Sequence, residues 1–459
     1  MKVIKVYFVF FILFLSGCRK GNIEKEFSHI KDSTYIMTGY DVVLLSSVEM
    51  SVDEMVMQKI AAGITRNEAI SIALKNNPEL QVHFETLGIA KADLEQAGLY
   101  TNPDIHGFFW PPLEDTVMET EVGAFFRISD LWQVPLRKKV QKDVLETVTF
   151  RILEFVLETM KDVRLAYDRV LFAQERLQIF EDLKQQRLDL RDHIYYRQDF
   201  GLVNDRQDFG LLDKYFADIA VNNVEIDIIK IKNEYEQACL SLKKILGIPP
   251  FLGSIKLIDS LDDYVECLKQ MLPSLDTLQS LALTHRPEML KAYMKIQQFK
   301  DTIALEKSKV FSTVNAGVSF KRDFDGSQGV GPNFEISLPI FDQNQAQIIR
   351  AEFLLEQAKK ELLAIQLEIQ KDVQSHYINL INHEKMLKIY KGAIEPIYRK
   401  AVDYTDQFEH LMQITMVTVL QTEIEFTYNQ MRAVEMQQEV CNAFSHLERA
   451  VGKRIDLIK

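Results

Sequence analysis

The chain has 459 residues, 47% hydrophobic and 26% charged, a balance that fits a folded protein and excludes a disordered one. Its formal net charge of −12, with no basic face along the sequence, argues against a nucleic-acid partner. Only 12 prolines and 18 glycines interrupt it, a scarcity that favours long helices.

The chain opens with Lys2 and Lys5, an apolar run from Val6 to Leu15, and then Ser16-Gly17-Cys18. A charged start, a short apolar core and small residues before the cut describe a secretory signal over residues 1–17. The run is too short for an ordinary transmembrane helix. A cysteine directly after small residues resembles the bacterial lipobox, which implies cleavage before Cys18 and lipidation of its sulfur; the alternative is a plain signal peptide with an incidental cysteine. Each buried CH₂ of an acyl chain contributes about 0.8 kcal/mol, so a multiply acylated terminus holds a membrane firmly. Residues 18–60 are polar with no clear period and read as a lipid-anchored tether, with a strand suggested at Asp41–Ser46.

At Ile64 a stretch begins that is written twice. Glu68-Ala69 runs into Ala73-Leu74-Lys75-Asn76-Asn77-Pro78-Glu79-Leu80, and Leu278-Gln279-Ser280 runs into Ala282-Leu283-Thr284-His285-Arg286-Pro287-Glu288-Met289. Pro78 and Pro287 stand 209 positions apart, Phe200 and Phe408 stand 208 apart, and Leu246-Gly247 and Val451-Gly452 close the two copies. Residues 61–250 and 274–459 therefore read as one duplicated unit joined by a linker at 251–273. In each copy a short helix must end at the residue before proline, which is pushed out of the α region, and the proline opens the next helix. Pro103 and Pro339 stand at further breaks.

The helix from Pro78 runs to about Gly98, a suitable C-cap. Strand-like pieces follow over 104–129, with Pro111-Pro112 forcing the turn between them. Val122, Ala124 and Phe126 alternate with Gly123, Phe125 and Arg127, so neither face there is simply water. The second copy has a cleaner strand pair over 312–340, in Val314–Phe320 and Asn333–Leu338, joined by a glycine-rich hairpin loop over Asp323–Gly331. Gly326-x-x-Gly329-x-Gly331 is not a phosphate cradle, because no helix follows it. Trp110 and Trp132 flank the first pair, with Phe108, Phe109, Phe125 and Phe126 between; such aromatics suit a membrane interface, and packing explains them equally well.

Each strand pair is followed by a very long helical run, 132–197 and 342–407. Val156, Val163, Val170 and Leu177 repeat at seven residues in the first, as do Leu380, Leu387, Ile394 and Ala401 in the second. At 1.5 Å per residue each rod reaches on the order of 100 Å. Both turn back, near 198–206 and 408–414, into return helices over 207–246 and 415–450. Pro396 inside the second rod should kink it. A strand of about 9–11 residues crosses a bilayer only in a closed barrel, and four strands per chain cannot close one, so several chains must contribute.

No chemistry announces itself. The nine histidines lack ligand spacing, no metal or other cofactor is called for, and no nucleophile–base set suggests an enzyme. Cys239, Cys267 and Cys441 form no Cys-x-x-Cys pair, and their sequence context leaves any disulfide pairing open.

The two copies of the proline break, Gln96-Ala97-Gly98-Leu99 with Asn102-Pro103, Ile336-Ser337-Leu338-Pro339-Ile340-Phe341-Asp342, Glu395-Pro396 and Leu447-Glu448-Arg449-Ala450-Val451-Gly452 together resemble the TolC-type outer-membrane efflux proteins, over residues 61–455. The resemblance implies a mainly α fold with β: duplicated antiparallel coiled-coil helices forming an α-barrel, and two β-hairpins per chain contributing to a trimeric transmembrane β-barrel. It implies a homotrimer in outer-membrane lipid, docked on a periplasmic adaptor and an inner-membrane transporter, acting as a passive export conduit that opens at its helix tips. One feature departs: Val417-Thr418-Val419-Leu420-Gln421 carries Thr418 and Gln421 where drug-efflux members often carry aspartates. Acids do cluster near the turns, at Asp199, Asp205, Asp208 and Asp213 and at Asp403, Asp406 and Glu409. With threefold symmetry an inward acid becomes a cation-selecting ring; otherwise these are solvated tip residues. The rival reading is a lipid-anchored periplasmic coiled-coil scaffold without a pore, which gives the strand pairs no use.

Overall fold

The structure is a computed structural model that describes residues 23–45, 54–113, 117–199, 207–253, 255–260, 272–410 and 416–458. The first copy of the repeat comprises α3 (Arg66–Asn76), α4 (Pro78–Ala97), β1 (Asp104–Trp110), β2 (Glu119–Arg127), α5 (Asp130–Asp199) and α6 (Gln207–Leu246). Ahead of it stand α1 (Glu24–Thr38) and α2 (Glu54–Ala62). The second copy repeats the order with α7 (Leu275–His285), α8 (Pro287–Ser308), β3 (Val314–Arg322), β4 (Gln328–Ile336), α9 (Gln345–Ile389), α10 (Glu395–His410) and α11 (Met416–Val451). A π turn, Tyr390–Ile394, joins α9 to α10.

The proline breaks form as their sequences require. Asn77 and Arg286, each preceding proline, have extended ψ angles of 117° and 126° and end α3 and α7. Asn77 also accepts from the backbone N–H groups of Glu79 and Leu80, satisfying the start of α4. At the other end of α3, Thr65 and Glu68 close a capping box. The closing glycines sit against these breaks. Gly247, at φ +71°, lies where a Cβ would come within 2.3 Å of the Asn76 carbonyl oxygen, and Gly452, at φ +78°, faces the Arg286 backbone. The duplication thus extends to the packing of each glycine on its own proline break.

The described residues divide into two compact units. The first draws on the described residues within 23–32, 82–153 and 287–367 and holds all four strands. Phe27 of α1 meets Phe84 of α4 edge-on, with ring centroids 5.1 Å apart, and Glu26 pairs with Lys91. Lys139 of α5 bridges to Asp301 of α8 at 2.8 Å, and Lys295 of α8 to Glu361 of α9 at 2.6 Å.

The second unit draws on the described residues within 33–81, 154–286 and 368–458. There α5 and α6 run antiparallel: Tyr195 donates to Asp218, Lys184 pairs with Glu225, and Arg176 with Glu234. Between the two helices lie Leu183, Val224 and Ile228, with Leu177 and Phe180 against them. The seven-residue positions Val156, Val163, Val170, Leu380 and Leu387 are all buried.

Two expectations are corrected. Residues 24–38 form a helix, not an aperiodic tether, and residues 41–45 form no strand. Ile23, Phe27, Ile30, Thr34 and Met37 recur at helical spacing, and the polar Thr34, fully buried, masks the period. The second hairpin turns within Asp323–Ser327, where Gly326 N–H reaches the Asp323 carbonyl; Gly329 and Gly331 belong to β4, paired with Lys321 and Ser319. A glycine run reads as a loop in sequence, yet an edge strand tolerates it. Pro396 sits one residue into α10, directly after a π turn in which the Glu395 N–H reaches the Tyr390 carbonyl, five residues back.

Candidate channel wall

The four strands form one antiparallel sheet in the order β1-β2-β3-β4, so among the described residues β1 and β4 leave their outer edges unpaired. Residues directly opposite in an antiparallel ladder share a face, and the register therefore sorts every side chain.

One face is almost wholly apolar. Ile105 and Phe109 of β1 align with Val122, Ala124 and Phe126 of β2. These continue into Val314, Ala316, Val318 and Phe320 of β3, and into Val330, Pro332, Phe334 and Ile336 of β4. Its polar members, Thr120, Arg322 and Gln328, all fall at one end of the sheet. In the isolated chain this surface is open: Ile105 is 74% exposed, Val330 73% and Phe334 71%. Monomeric soluble proteins rarely show so continuous an apolar patch, whereas the outer wall of a membrane barrel requires one.

The other face is polar and internally paired. Asn315 donates to Glu335 at 2.8 Å, and Asn333 to the Ser319 hydroxyl at 2.6 Å. Lys321 bridges Glu119 and Asp323, at 2.9 and 2.8 Å, and the His106 Nε2 lies 4.0 Å from Glu121. Glycines keep this face thin. A Cβ on Gly317 would approach the Ala124 carbonyl oxygen to 2.1 Å, and one on Gly123 would strike the His106 ring. Phe125, which made both faces of β2 look apolar in sequence, lies on this side and stacks on His106 at 4.8 Å.

In the helical unit the notable groups are buried ion pairs absent from the sequence-derived candidates. Arg66 of α3 binds the fully buried Asp168 of α5, donating through Nε at 3.0 Å, and its guanidinium lies over the Tyr167 ring. Tyr167 donates to the Ile64 carbonyl at 2.8 Å, and Asp259 takes the Arg66 backbone N–H at 2.7 Å. Arg164 pairs with Glu448 of α11. Arg187, only 2% exposed, pairs with Glu423 of α11 at 3.1 Å, and burial holds its guanidinium below the usual arginine range. The last two pairs link α5 of the first copy to α11 of the second. Charges so far apart in sequence leave no local pattern by which to find them.

The acids expected at the tips fare unevenly. Asp213 lies on α6, half-buried, and burial raises its carboxyl. Asp403 is exposed on α10. Asp199, Asp208, Asp406 and Glu409 fall within helices but their side chains lie outside the described residues, as do Asp205 and Cys18 altogether. Pro78, Pro287 and Pro396 open or nearly open helices, while Pro103 and Pro339 stand in the segments next to β1 and β4. Among the described residues no group of three or more metal-ligating side chains assembles, Cys239 and Cys441 are free thiols, and no helix is long and apolar enough to cross a membrane.

Residues 278–453 match the sequence model of the outer membrane efflux protein family. The resemblance carried by the two proline breaks and the closing Leu447–Gly452 is thereby borne out over the second copy. The fold as a whole is that of solved outer-membrane channels. CusC, described by its transmembrane channel formation, is 16% identical, with 90% of this chain and 97% of CusC covered and a TM-score of 0.71. The open MtrE outer membrane channel of Neisseria gonorrhoeae is 17% identical over 84% of this chain and 89% of its own, at a TM-score of 0.68. The outer membrane protein VceC of Vibrio cholerae is 15% identical over 85% and 96%, at 0.67. No curated protein sequence matches the chain.

Proposed function

We propose that this chain is the outer-membrane channel subunit of a tripartite efflux or type I export system, a passive conduit across the periplasm and outer membrane. The observation that carries the proposal is the two-faced sheet with both edges unpaired. An apolar face suits lipid and a paired polar face suits water, and open edges are intolerable in a bilayer. Four strands from each of three copies, β1 of one beside β4 of the next, close a barrel of ordinary size for the outer membrane. The paired long helices supply the tunnel wall. Lipidation at Cys18 anchors each copy, and a periplasmic adaptor and an inner-membrane transporter complete the machine, as the family match over 278–453 supports. Inward-facing acids among Asp199–Asp213 and Asp403–Glu409 then form rings near the entrance. The scaffold reading finds no support: it gives the apolar face nothing to contact.

Incorporation of the purified, lipidated protein into planar bilayers tests the proposal. Stepwise ionic conductance that requires the sheet, and disappears on Val318→Asp, is the expected result. A chain that associates with vesicles through its lipid alone and conducts nothing would restore the scaffold.

A further inference from the structure

The polar face of the sheet carries rings that a water-filled wall does not need. His106, Phe108 and Trp110 occupy alternate positions of β1 and so share that face. Phe108 and Trp110 stack with centroids 5.4 Å apart and planes 15° apart, His106 follows 5.6 Å from Phe108, and Phe125 of β2 stacks on His106. The result is a continuous ladder of four rings. Every other residue on this face is glycine, charged or hydrogen-bonding polar. Phe108 is nonetheless 49% exposed and Trp110 45%. Apolar rings held in an aqueous lumen forgo burial, and exposed apolar surface of this kind marks a contact site.

The surroundings define what the ladder would hold. The same face carries the carboxylates of Asp104, Glu119, Glu121 and Glu335 against the cations of Arg127 and Lys321, an acidic excess. Flat ring faces attract both planar π systems and cations. Gly329 and Gly331 leave the β4 part of the face without bulk, since a Cβ at either would meet nothing within 4 Å. We propose that the His106–Phe108–Trp110–Phe125 ladder is a binding track for planar aromatic cations in transit through the channel. It rests on the reading of the sheet as a channel wall. Stepwise stacking lets such a molecule move from ring to ring without full release at any point, while ions without an apolar plane pass unbound.

Equilibrium titration of the detergent-extracted full-length protein with ethidium, followed by the anisotropy of the dye, tests the track. Saturable binding is expected, with tetraethylammonium displacing the dye at least about tenfold less effectively than unlabelled planar cation does. Joint replacement Phe108→Ser and Trp110→Ser should weaken binding about tenfold or more, whereas Phe108→Tyr with Trp110→Tyr, which keeps the rings, should retain it. Absence of saturable binding to the native protein, equal displacement by tetraethylammonium, or unchanged affinity in the serine variant would overturn the proposal. Native mass and potassium chloride conductance of the same preparation separate the two readings. A protein that assembles and conducts without binding ethidium removes the track alone; one that neither assembles nor conducts removes the channel as well.

Discussion

Gly317 sets how closely β2 and β3 can pair. A methyl group there would press on the Ala124 carbonyl, and backbone cannot yield as a flexible side chain can. Gly317→Val should therefore cost on the order of 1–3 kcal/mol in chemical denaturation, while Gly329→Ala, with open space around it, should leave stability unchanged. A second residue-scale device is acidic. Asp143 of α5 is buried, and burial, then its hydrogen bond to Asp301 and that group's charge, push its carboxyl up to about 6. Burial acts the same way on Asp301, but hydrogen bonds from Lys139 and Gln297 outweigh it and hold that carboxyl below its ordinary value. The folded chain thus binds the Asp143 proton more tightly than the unfolded one. Its stabilisation is complete below about pH 4 and is lost as pH rises through about 6. Asp143→Asn should flatten the pH dependence of the melting temperature between those values. Parallel curves for the two proteins would refute this.

At the scale of elements, the π turn at Tyr390–Ile394 explains how a 16-residue helix can follow α9 with a proline at its second position. Proline inside an α-helix ordinarily costs about 3 kcal/mol, but here the backbone has already shifted its bonding by one residue. Tyr390, buried, fixes the shift by donating to the Asn429 carbonyl of α11. Pro396→Ala should accordingly change stability by less than about 1 kcal/mol, read from chemical denaturation, whereas Tyr390→Phe should destabilise by roughly that amount or more. A gain near 3 kcal/mol from Pro396→Ala would mean that the turn absorbs nothing. Much at this scale was legible beforehand. Proline at 78 and 287 dictates the extended residue before it, and the heptads at Val156–Leu177 dictate a helix with a buried stripe, so those elements stand where expected. The helix Glu24–Thr38 was not legible, because Thr34 occupies a core position in its period. Nor was the full extent of β4, whose glycines carry no strand signal and are held only by their partners Lys321 and Ser319. The ion pairs Arg66–Asp168 and Arg187–Glu423 join residues from distant parts of the sequence, and no local pattern could have announced them.

At the scale of the molecule, sequence alternation alone left the two faces of β2 undecided, since Phe125 and Phe126 are adjacent. Register decides it by placing Phe126 with Val318-side neighbours on the apolar face and Phe125 over His106. Neighbouring positions should therefore respond oppositely to charge. Val318→Lys should cost about 2–4 kcal/mol in a bilayer and leave the protein out of the outer-membrane fraction, while Ser319→Lys should insert normally. The central claim is that a four-stranded sheet with two open edges is one part of a shared barrel. The native mass of the detergent-extracted protein tests it most directly. A particle near three times the 53.2 kDa chain, plus bound detergent, is the predicted result. A stable monomer would leave both strand edges unclosed and contradict the channel.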